Sequence, residues 1–439
     1  MASNEVAGRP VDYAGDHAVT PILPSERRST FDVALVAAGF CICMSGLFTG
    51  AAMAAGLSLW QAIFATFIGN TILAVYGGLV GAAGAQKGVS TTMLSRHAFG
   101  RDGAKVIGLL WAVTLVGWFS VQTGFFGQTI NAMFPNGNPL ASVQVAAGWG
   151  GLLMMVTAYF GYRGLSVLSK FAIPAITILA LIGIFAAVGQ SGGLGALAAI
   201  APVAPITVGT GITLAVGSFA VGATIQADIT RYAKDVKAAW IATVFGYMIA
   251  NTFIIGAGAI TALATGSGDL PSAMIALGLG IPALLILIAG QWTTNDNNLY
   301  SSSLGVSNVI KAKKKHIVLV LGVVATAFGV WGMADYFVPW LVILGVGIPP
   351  VAGILIADYW LLKRGNYTFG PGTRYAGWSW PAFAAWLIAS VLGYHITWGI
   401  PSVNSIVIAF VLYLGLMHLC QNLRVEAGIG SIEESQTGF

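Results

Sequence analysis

Apolar stretches of about 20 residues recur along almost the whole chain, each long enough to cross the ~30 Å hydrocarbon core of a bilayer. Twelve spans are expected, near residues 33–56, 60–84, 104–132, 143–161, 167–189, 207–230, 239–264, 281–309, 317–332, 336–361, 379–396 and 402–421. Backbone polar groups in lipid must be satisfied within the segment, so such spans are helices. Charge agrees, because only 8% of the 439 residues are charged and 57% are hydrophobic, against about 25% charged in a soluble protein. Too few charges remain to coat a water-exposed surface. The fold class is all-α integral membrane, with a polar tail at 1–30, one transmembrane domain at 31–421 and a second tail at 422–439. The first thirty residues hold no apolar core, so no cleaved signal peptide is expected.

The basic residues set an orientation. Arg9, Arg27 and Arg28 precede the first span, and Lys87, Arg96, Arg101 and Lys105 lie between spans 2 and 3. Arg163 with Lys170, then Arg231, Lys234 and Lys237, mark the 4–5 and 6–7 joins. Lys311, Lys313, Lys314, Lys315, Lys363, Arg364, Arg374 and Arg424 complete the set of 20 on the same side. The other side carries Asp269 and Asp335. Lys and Arg accumulate in cytoplasmic loops, so a multi-pass protein of the plasma (inner) membrane with both termini cytoplasmic is expected. The run Lys313-Lys314-Lys315 reads as a topology signal and lipid anchor, so no nucleic-acid partner is expected. Cys41, Cys43 and Cys420 show neither metal nor disulfide spacing and read as packing residues. Trp340, Tyr359 and Trp360 lie near span ends and read as interfacial belt residues. A monomer is expected.

Span 8 is unusual. From Gln291 to Asn298 every side chain except Trp292 carries a hydrogen-bonding group. An unpaired amide or hydroxyl in lipid costs roughly 2–7 kcal/mol, so this face turns to a bundle interior or a wet cavity. Interhelical hydrogen bonding accounts for one or two such residues; seven, with Asp296 among them, point to a site. Spans 1 and 6 look broken at matching positions, over Gly39-Phe-Cys-Ile-Cys-Met-Ser-Gly46 with Phe48 to Gly56 after it, and over the Gly- and Ser-containing stretch from Gly209 to Thr224. Unwound backbone at membrane depth is tolerated where it lines a cavity, and paired breaks in two halves mark a transporter's midplane site. The competing reading of Gly46, Gly217 and Gly222 is close helix packing. In span 3, Trp118 and Gln122 are four apart and share a helix face. A π-surface one turn from an amide suits a flat, hydrogen-bonding heterocycle, with Phe219 as a candidate opposing ring.

At these residues the chain resembles the nucleobase–cation symporter-1 family, above all its bacterial cytosine-permease branch. The resemblance runs over nearly everything after residue 30. It is carried by Val116-Gly-Trp-Phe119, Gly217-Ser-Phe219 with Ala227-Asp-Ile-Thr-Arg231, Trp292-Thr-Thr-Asn-Asp-Asn297, and Gly347-Ile-Pro-Pro350 with Ile356-Ala-Asp-Tyr359. It implies the LeuT-like fold, ten core helices as two inverted five-helix repeats plus two C-terminal helices. It also implies import of a nucleobase, hydantoin or allantoin-like ring with sodium or protons. Carried over, Trp118 and Phe219 would sandwich the ring, Ser218 would offer backbone groups, and Asn295 would hydrogen-bond from span 8. Asn298 is a further amide for the site. A cation would take carbonyls of Cys43, Gly46 and Gly290 and the hydroxyls of Thr293 and Thr294. Leu115 and Val221 stand where cytosine permeases have glutamine and serine, whereas Gln122 matches the glutamine of the hydantoin and allantoin branch.

The leading expectation is therefore a secondary importer working by alternating access, not an enzyme and without a cofactor. An ion channel would need a filter of repeated carbonyls or a charged ring, and no such loop appears. His97, His316, His395 and His418 are scattered without nucleophile–base pairing, and no phosphate-binding loop supports ATP-driven transport. Sodium is favoured over protons because the implied oxygen set needs no acid. Lys170 is the residue that would favour protons.

Overall fold

The computed structural model describes residues 20–134, 137–160, 162–310, 312–370, 373–396, 398–422 and 428–429. Arg9, Lys311 and Arg424 lie outside the described residues, as do the side chains of Arg163 and Lys170. In chain order the helices are α1 (Thr30–Cys41), α2 (Met44–Gly56), α3 (Leu59–Lys87), α4 (Thr91–Phe99), α5 (Arg101–Met133), α6 (Val143–Phe160) and α7 (Tyr162–Gln190). They continue as α8 (Leu194–Ala198), α9 (Val208–Thr224), α10 (Ala227–Thr230), α11 (Val236–Val244), α12 (Thr252–Thr265) and α13 (Leu270–Ala276). The last six are α14 (Gly280–Ile310), α15 (Lys314–Val330), α16 (Phe337–Gly347), α17 (Pro349–Ile356), α18 (Trp380–His395) and α19 (Pro401–Asn422). A π-helical segment, Phe245–Asn251, joins α11 to α12, and another, Ala357–Leu362, extends α17. Strands β1 (Trp378–Ser379) and β2 (Gly428–Ile429) pair antiparallel.

Helix starts follow local chemistry. Ser29, Ser90, Thr207, Asp235 and Asp269 each accept the backbone N–H three residues ahead, satisfying donors that the first turn leaves free. Among the described residues, eight helical segments are individually long and apolar enough to cross a membrane, and the bent pair α1–α2 passes as a ninth. The other expected spans fall short for visible reasons. α14 has 31 residues but contains the polar run. α15 and α18 have 17 and 16 residues, below the ~20 of an upright crossing.

Lipid supplies no hydrophobic drive between helices, so close backbone approach and hydrogen bonds hold the bundle. A Cβ on Gly50 would lie 1.9 Å from the Ile255 carbonyl oxygen, and one on Gly258 2.0 Å from that of Leu47, so α2 and α12 touch backbone to backbone. Gly217 does the same for α9 on α16, where its Cβ would sit 1.9 Å from the Leu341 oxygen. Buried amides tie the remaining joints. Asn251 Nδ2 donates to Asn70 Oδ1 at 2.7 Å, and Asn70 Nδ2 donates to Thr252 Oγ1 at 3.0 Å. Tyr247 donates to Gln226 Oε1 at 3.1 Å, whose Nε2 donates to Thr243 Oγ1 at 3.1 Å.

The described basic joins gather at one end. Ile22 N–H donates to the Gly88 carbonyl, Arg28 N–H to Tyr232, and Arg101 N–H to Ala376. Gly88 holds φ +67°, and Ile22 O would lie 2.9 Å from its Cβ, so the turn after α3 takes glycine alone without strain. At this end Asp358 is buried and accepts from Tyr413 at 2.8 Å and from Tyr367. His97 stacks on Tyr367 with ring centroids 3.9 Å apart, and burial pushes its imidazole down to about 4. The belt reading is overturned for Tyr359, while Trp360 and Trp340 are half-buried against the core. Tyr359 is fully buried and donates to Gln86 Oε1 at 2.7 Å, Trp360 donates to the Leu79 carbonyl, and the Trp340 ring fills the space beside Gly117. A partner inside the bundle held each ring, which position along a span does not reveal. Among the described tryptophans, Trp60, Trp331 and Trp398 are the broadly exposed ones.

Candidate functional site

The first break is a true interruption. α1 stops at Cys41 and α2 starts at Met44, with a 50° bend between them. Ile42 (φ −81°, ψ 83°) and Cys43 (φ −134°, ψ 161°) are the non-helical residues. Gly46 lies inside α2, where a Cβ would meet Ile254 Cγ2 at 2.0 Å, so its absence serves packing while the residues before it carry the break. The Cys43 carbonyl accepts the Gly46 N–H at 3.1 Å, as the first turn of α2.

The second break is a kink at one residue. Within α9, Phe219 alone departs from helical geometry (φ −133°, ψ 17°). Ser218, just before it, turns its hydroxyl back to the Ala215 carbonyl at 2.7 Å, a local bond that competes with helical regularity. The Phe219 ring lies edge-on to Phe40 (5.3 Å) and Tyr247 (6.0 Å). Gly222 makes room for the rings of Phe219 and Phe40.

α14 distributes its polar run over three faces, as 100° per residue requires. Gly290, Thr293 and Thr294 form one face: both hydroxyls donate to the Gly290 carbonyl, at 2.9 and 2.8 Å. Gly290 lies under the Met44 side chain and Ile176, so this three-oxygen cluster is set against the start of α2. Gln291 and Asn295 face α5. Gln291 Nε2 donates to Thr129 Oγ1 at 3.3 Å, and Asn295 Nδ2 to the Phe119 carbonyl and Thr123 Oγ1, both at 3.2 Å. Trp292 and Asp296 face α6: Thr157 donates to Asp296 Oδ1 at 2.7 Å and accepts from Trp292 Nε1 at 3.0 Å. Asn295 thus has its nitrogen in the α5–α14 joint, on a different face from the threonines.

Trp118, Gln122 and Phe125 follow one stripe of α5. Trp118 is buried and edge-on to Phe337 at 6.2 Å, and Phe337 is edge-on to Phe125 at 5.0 Å. Phe125 stacks on Phe48 of α2, with centroids 3.8 Å apart and planes 4° apart. Trp118 and Phe219 therefore have different ring partners. Four amide atoms of α5 and α14 are enclosed without a hydrogen-bond partner, Gln122 Oε1, Gln291 Oε1, Asn295 Oδ1 and Asn298 Nδ2. The antiparallel contacts of Gln291 with Thr129 and Asn295 with Thr123 put Asn298 level with Trp118. An orphaned buried polar atom costs roughly 1–3 kcal/mol, a penalty that a hydrogen-bonding ligand removes. Phe48, Phe125 and Phe337 were absent from the expected set. Phe125, seven residues after Trp118 on the same stripe, was within reach of helical spacing; Phe48 and Phe337 come from distant segments and carried no such signal. Among the described residues no cluster of His, Cys, Asp and Glu suits a metal ion, and the expected cation ligands are neutral oxygens.

Comparison with known proteins matches this architecture. Residues 21–417 match a family model described as permease for cytosine/purines, uracil, thiamine, allantoin. The chain is 33% identical over 414 residues to a cytosine permease of Escherichia coli K12, covering 94% of this chain and 96% of that one. It is 22% identical to a hydantoin permease of Microbacterium maritypicum, over 83% and 81% of the two chains. Among solved structures it resembles the inward-facing conformation of Mhp1, with a TM-score of 0.80 at 21% identity over 92% and 93% of the chains. Mhp1 in a closed conformation with bromovinylhydantoin bound gives 0.75 at 20% identity over 93% and 96%. A Na+-coupled sialic acid symporter gives 0.60 at 12% over 93% and 92%. The chain therefore has a LeuT-like transporter fold and belongs to the nucleobase–cation symporter-1 family of membrane permeases, which are transporters and not enzymes.

Proposed function

We propose that this permease imports a nucleobase-like heterocycle, cytosine or a related pyrimidine or purine, together with sodium, by alternating access. The observation that carries the reading is the pair of enclosed, unpartnered amide atoms, Gln122 Oε1 and Asn298 Nδ2, level with the buried Trp118 ring. A planar ring with a donor and an acceptor would satisfy both while lying on the indole. Gln122 with Leu115 and Val221 keeps a hydantoin or allantoin-like ring as the second substrate reading.

In this reading twelve spans cross the membrane: α1–α2, α3, α5, α6, α7, α9–α10, α11–α12, α14, α15, α16–α17, α18 and α19. The first ten form two inverted repeats, each opening on a broken helix, and the basic end faces the cytoplasm with both termini. Sodium would take the Gly290 carbonyl, lone pairs of the Thr293 and Thr294 hydroxyls, and the Cys43 and Gly46 carbonyls at the start of α2. Each cluster rides on a different helix, so the ion would close one against the other. Uptake of radiolabelled cytosine, adenine, hypoxanthine, uracil, allantoin and hydantoins tests this. Uptake of one ring class that collapses with a sodium ionophore is expected; uptake indifferent to sodium that falls with rising external pH would replace sodium by protons. Cysteines placed at Ser267 and Asp335, but not at Lys313, should react with impermeant reagents in intact cells.

A further inference from the structure

The end of the bundle opposite the basic joins contains a cavity of about 400 Å³, within the ~300–1,000 Å³ of small-molecule sites. Its floor is the stacked Phe48–Phe125 pair. One turn beyond Phe125 on α5, Gln128 lines the wall, and its side-chain amide has no protein partner among the described residues. Asp269 and Asp335, the two acids of this end, both line the same space. Asp269 uses Oδ2 to cap α13 at Ser272, while its Oδ1 is enclosed and unpartnered. The Asp335 carboxylate has no hydrogen-bond or ion-pair partner among the described residues, its backbone N–H alone donating to the Gly332 carbonyl. Opposite-sign Lys and Arg are absent from the lining.

We propose that this vestibule is a second binding site, which holds a planar nitrogen heterocycle on the Phe48–Phe125 floor before it reaches Trp118. The proposal rests on the import reading and adds to it a waiting site with its own chemistry. An amide and two carboxylates beside an aromatic surface select rings that present N–H donors, neutral or cationic. An anionic ring meets two like charges in a low-dielectric recess and is excluded. Phe125 belongs to both sites: its stripe on α5 leads from Gln128 down to Gln122 and Trp118, so the ring that floors the vestibule also roofs the deeper site.

The test uses the full chain with Ala132→Cys, a position on the vestibule wall, labelled in intact cells with impermeant cationic and anionic methanethiosulfonates. The cationic reagent should react roughly tenfold faster or more, the lower end of electrostatic focusing. Asp269→Asn with Asp335→Asn should remove that preference, and Asn preserves the α13 cap. The base with the highest uptake in the panel should slow labelling of the Ala132→Cys chain, and should still do so with Trp118→Ala or the milder Gln122→Ala added. Equal rates for the two reagents, or protection that disappears with both deep-site variants, would overturn the vestibule site. Absence of any base uptake by the unmodified chain overturns the import reading and this site with it; uptake with unprotected labelling overturns this site alone.

Discussion

The two broken helices solve the same problem by different means. Between α1 and α2 two residues leave helical geometry and the axis turns by 50°. In α9 a single residue, Phe219, departs and the helix resumes at once. The first places non-helical backbone at Ile42 and Cys43, directly before Met44, whose side chain packs on Gly290. The second aims a side chain, the Phe219 ring, and leaves little free backbone. In the proposed reading the first break serves a cation and the second a ring, and the two differ in how much backbone leaves helical geometry. Both are held by glycines that do no unwinding themselves, Gly50 with Gly258 for α2 and Gly217 for α9.

The largest expected effect comes from those clamps. Gly217→Leu drives a side chain into the Leu341 carbonyl, whose oxygen lies 1.9 Å from the first added carbon. Backbone cannot swing aside as a side chain does, so loss of folded protein, or of all transport, is expected, beyond the ~1–3 kcal/mol of ordinary overpacking. Gly222→Ala makes the contrast, because its new methyl meets only the Phe219 and Phe40 rings, at 2.8 and 2.9 Å. Membrane yield and detergent melting temperature report both. Equal tolerance of the two would mean that α9 is not clamped on α16.

Next in size is the effect at the proposed cation site. Thr293→Ala with Thr294→Ala removes two of about five oxygens, below the six or so that a larger hard cation takes. Sodium dependence of substrate binding should vanish, while binding without sodium persists. Binding that still rises with sodium in the double variant would place the ion elsewhere.

Much of this was legible beforehand, and the limits have physical causes. The span positions follow from hydropathy, and one-sided charge agrees with the way Ile22, Arg28 and Arg101 are tied into the same end. The run from Gln291 to Asn298 announced a buried polar helix, but its division over three faces depended on what α2, α5 and α6 present there. Glycine in both helices suggests either breaking or close packing; packing is what Gly46, Gly217 and Gly222 do, and Ile42, Cys43 and Phe219 carry the irregular backbone. Tyr359 looked like an interface residue because its distance from the span end was visible and Gln86 was not.

On the ring side of the comparison, Trp118→Ala should weaken binding much more than Trp118→Phe, which keeps part of the stacking surface. Gln122→Ala should weaken binding by about 1–3 kcal/mol. Its effect on stability has the opposite sign: Gln122 Oε1 is enclosed without a partner in the protein, so removing it relieves a desolvation penalty. Melting temperature without ligand should hold or rise while affinity falls. If both fall together, Gln122 is structural.

The smallest effect sharpens the comparison most. Ser218 precedes the kink, and its role in the family resemblance is to offer backbone groups to the ring. Its hydroxyl is already committed to the Ala215 carbonyl at 2.7 Å, within α9. If α9 serves the site through the Phe219 ring and the backbone beside it, the hydroxyl is dispensable. Ser218→Ala keeps every backbone group and loses one intrahelical side-chain bond, worth about 0.5–1.5 kcal/mol at most. That bond competes with regular helix rather than supporting it, so the net change in stability should be smaller still. Substrate affinity should stay within roughly threefold, which corresponds to about 0.7 kcal/mol. A loss of tenfold or more, with unchanged melting temperature, would show that the hydroxyl leaves Ala215 to bind the ring. The second break would then present a polar side chain as well as an aromatic one, and the contrast with the two-residue break of α1–α2 would narrow.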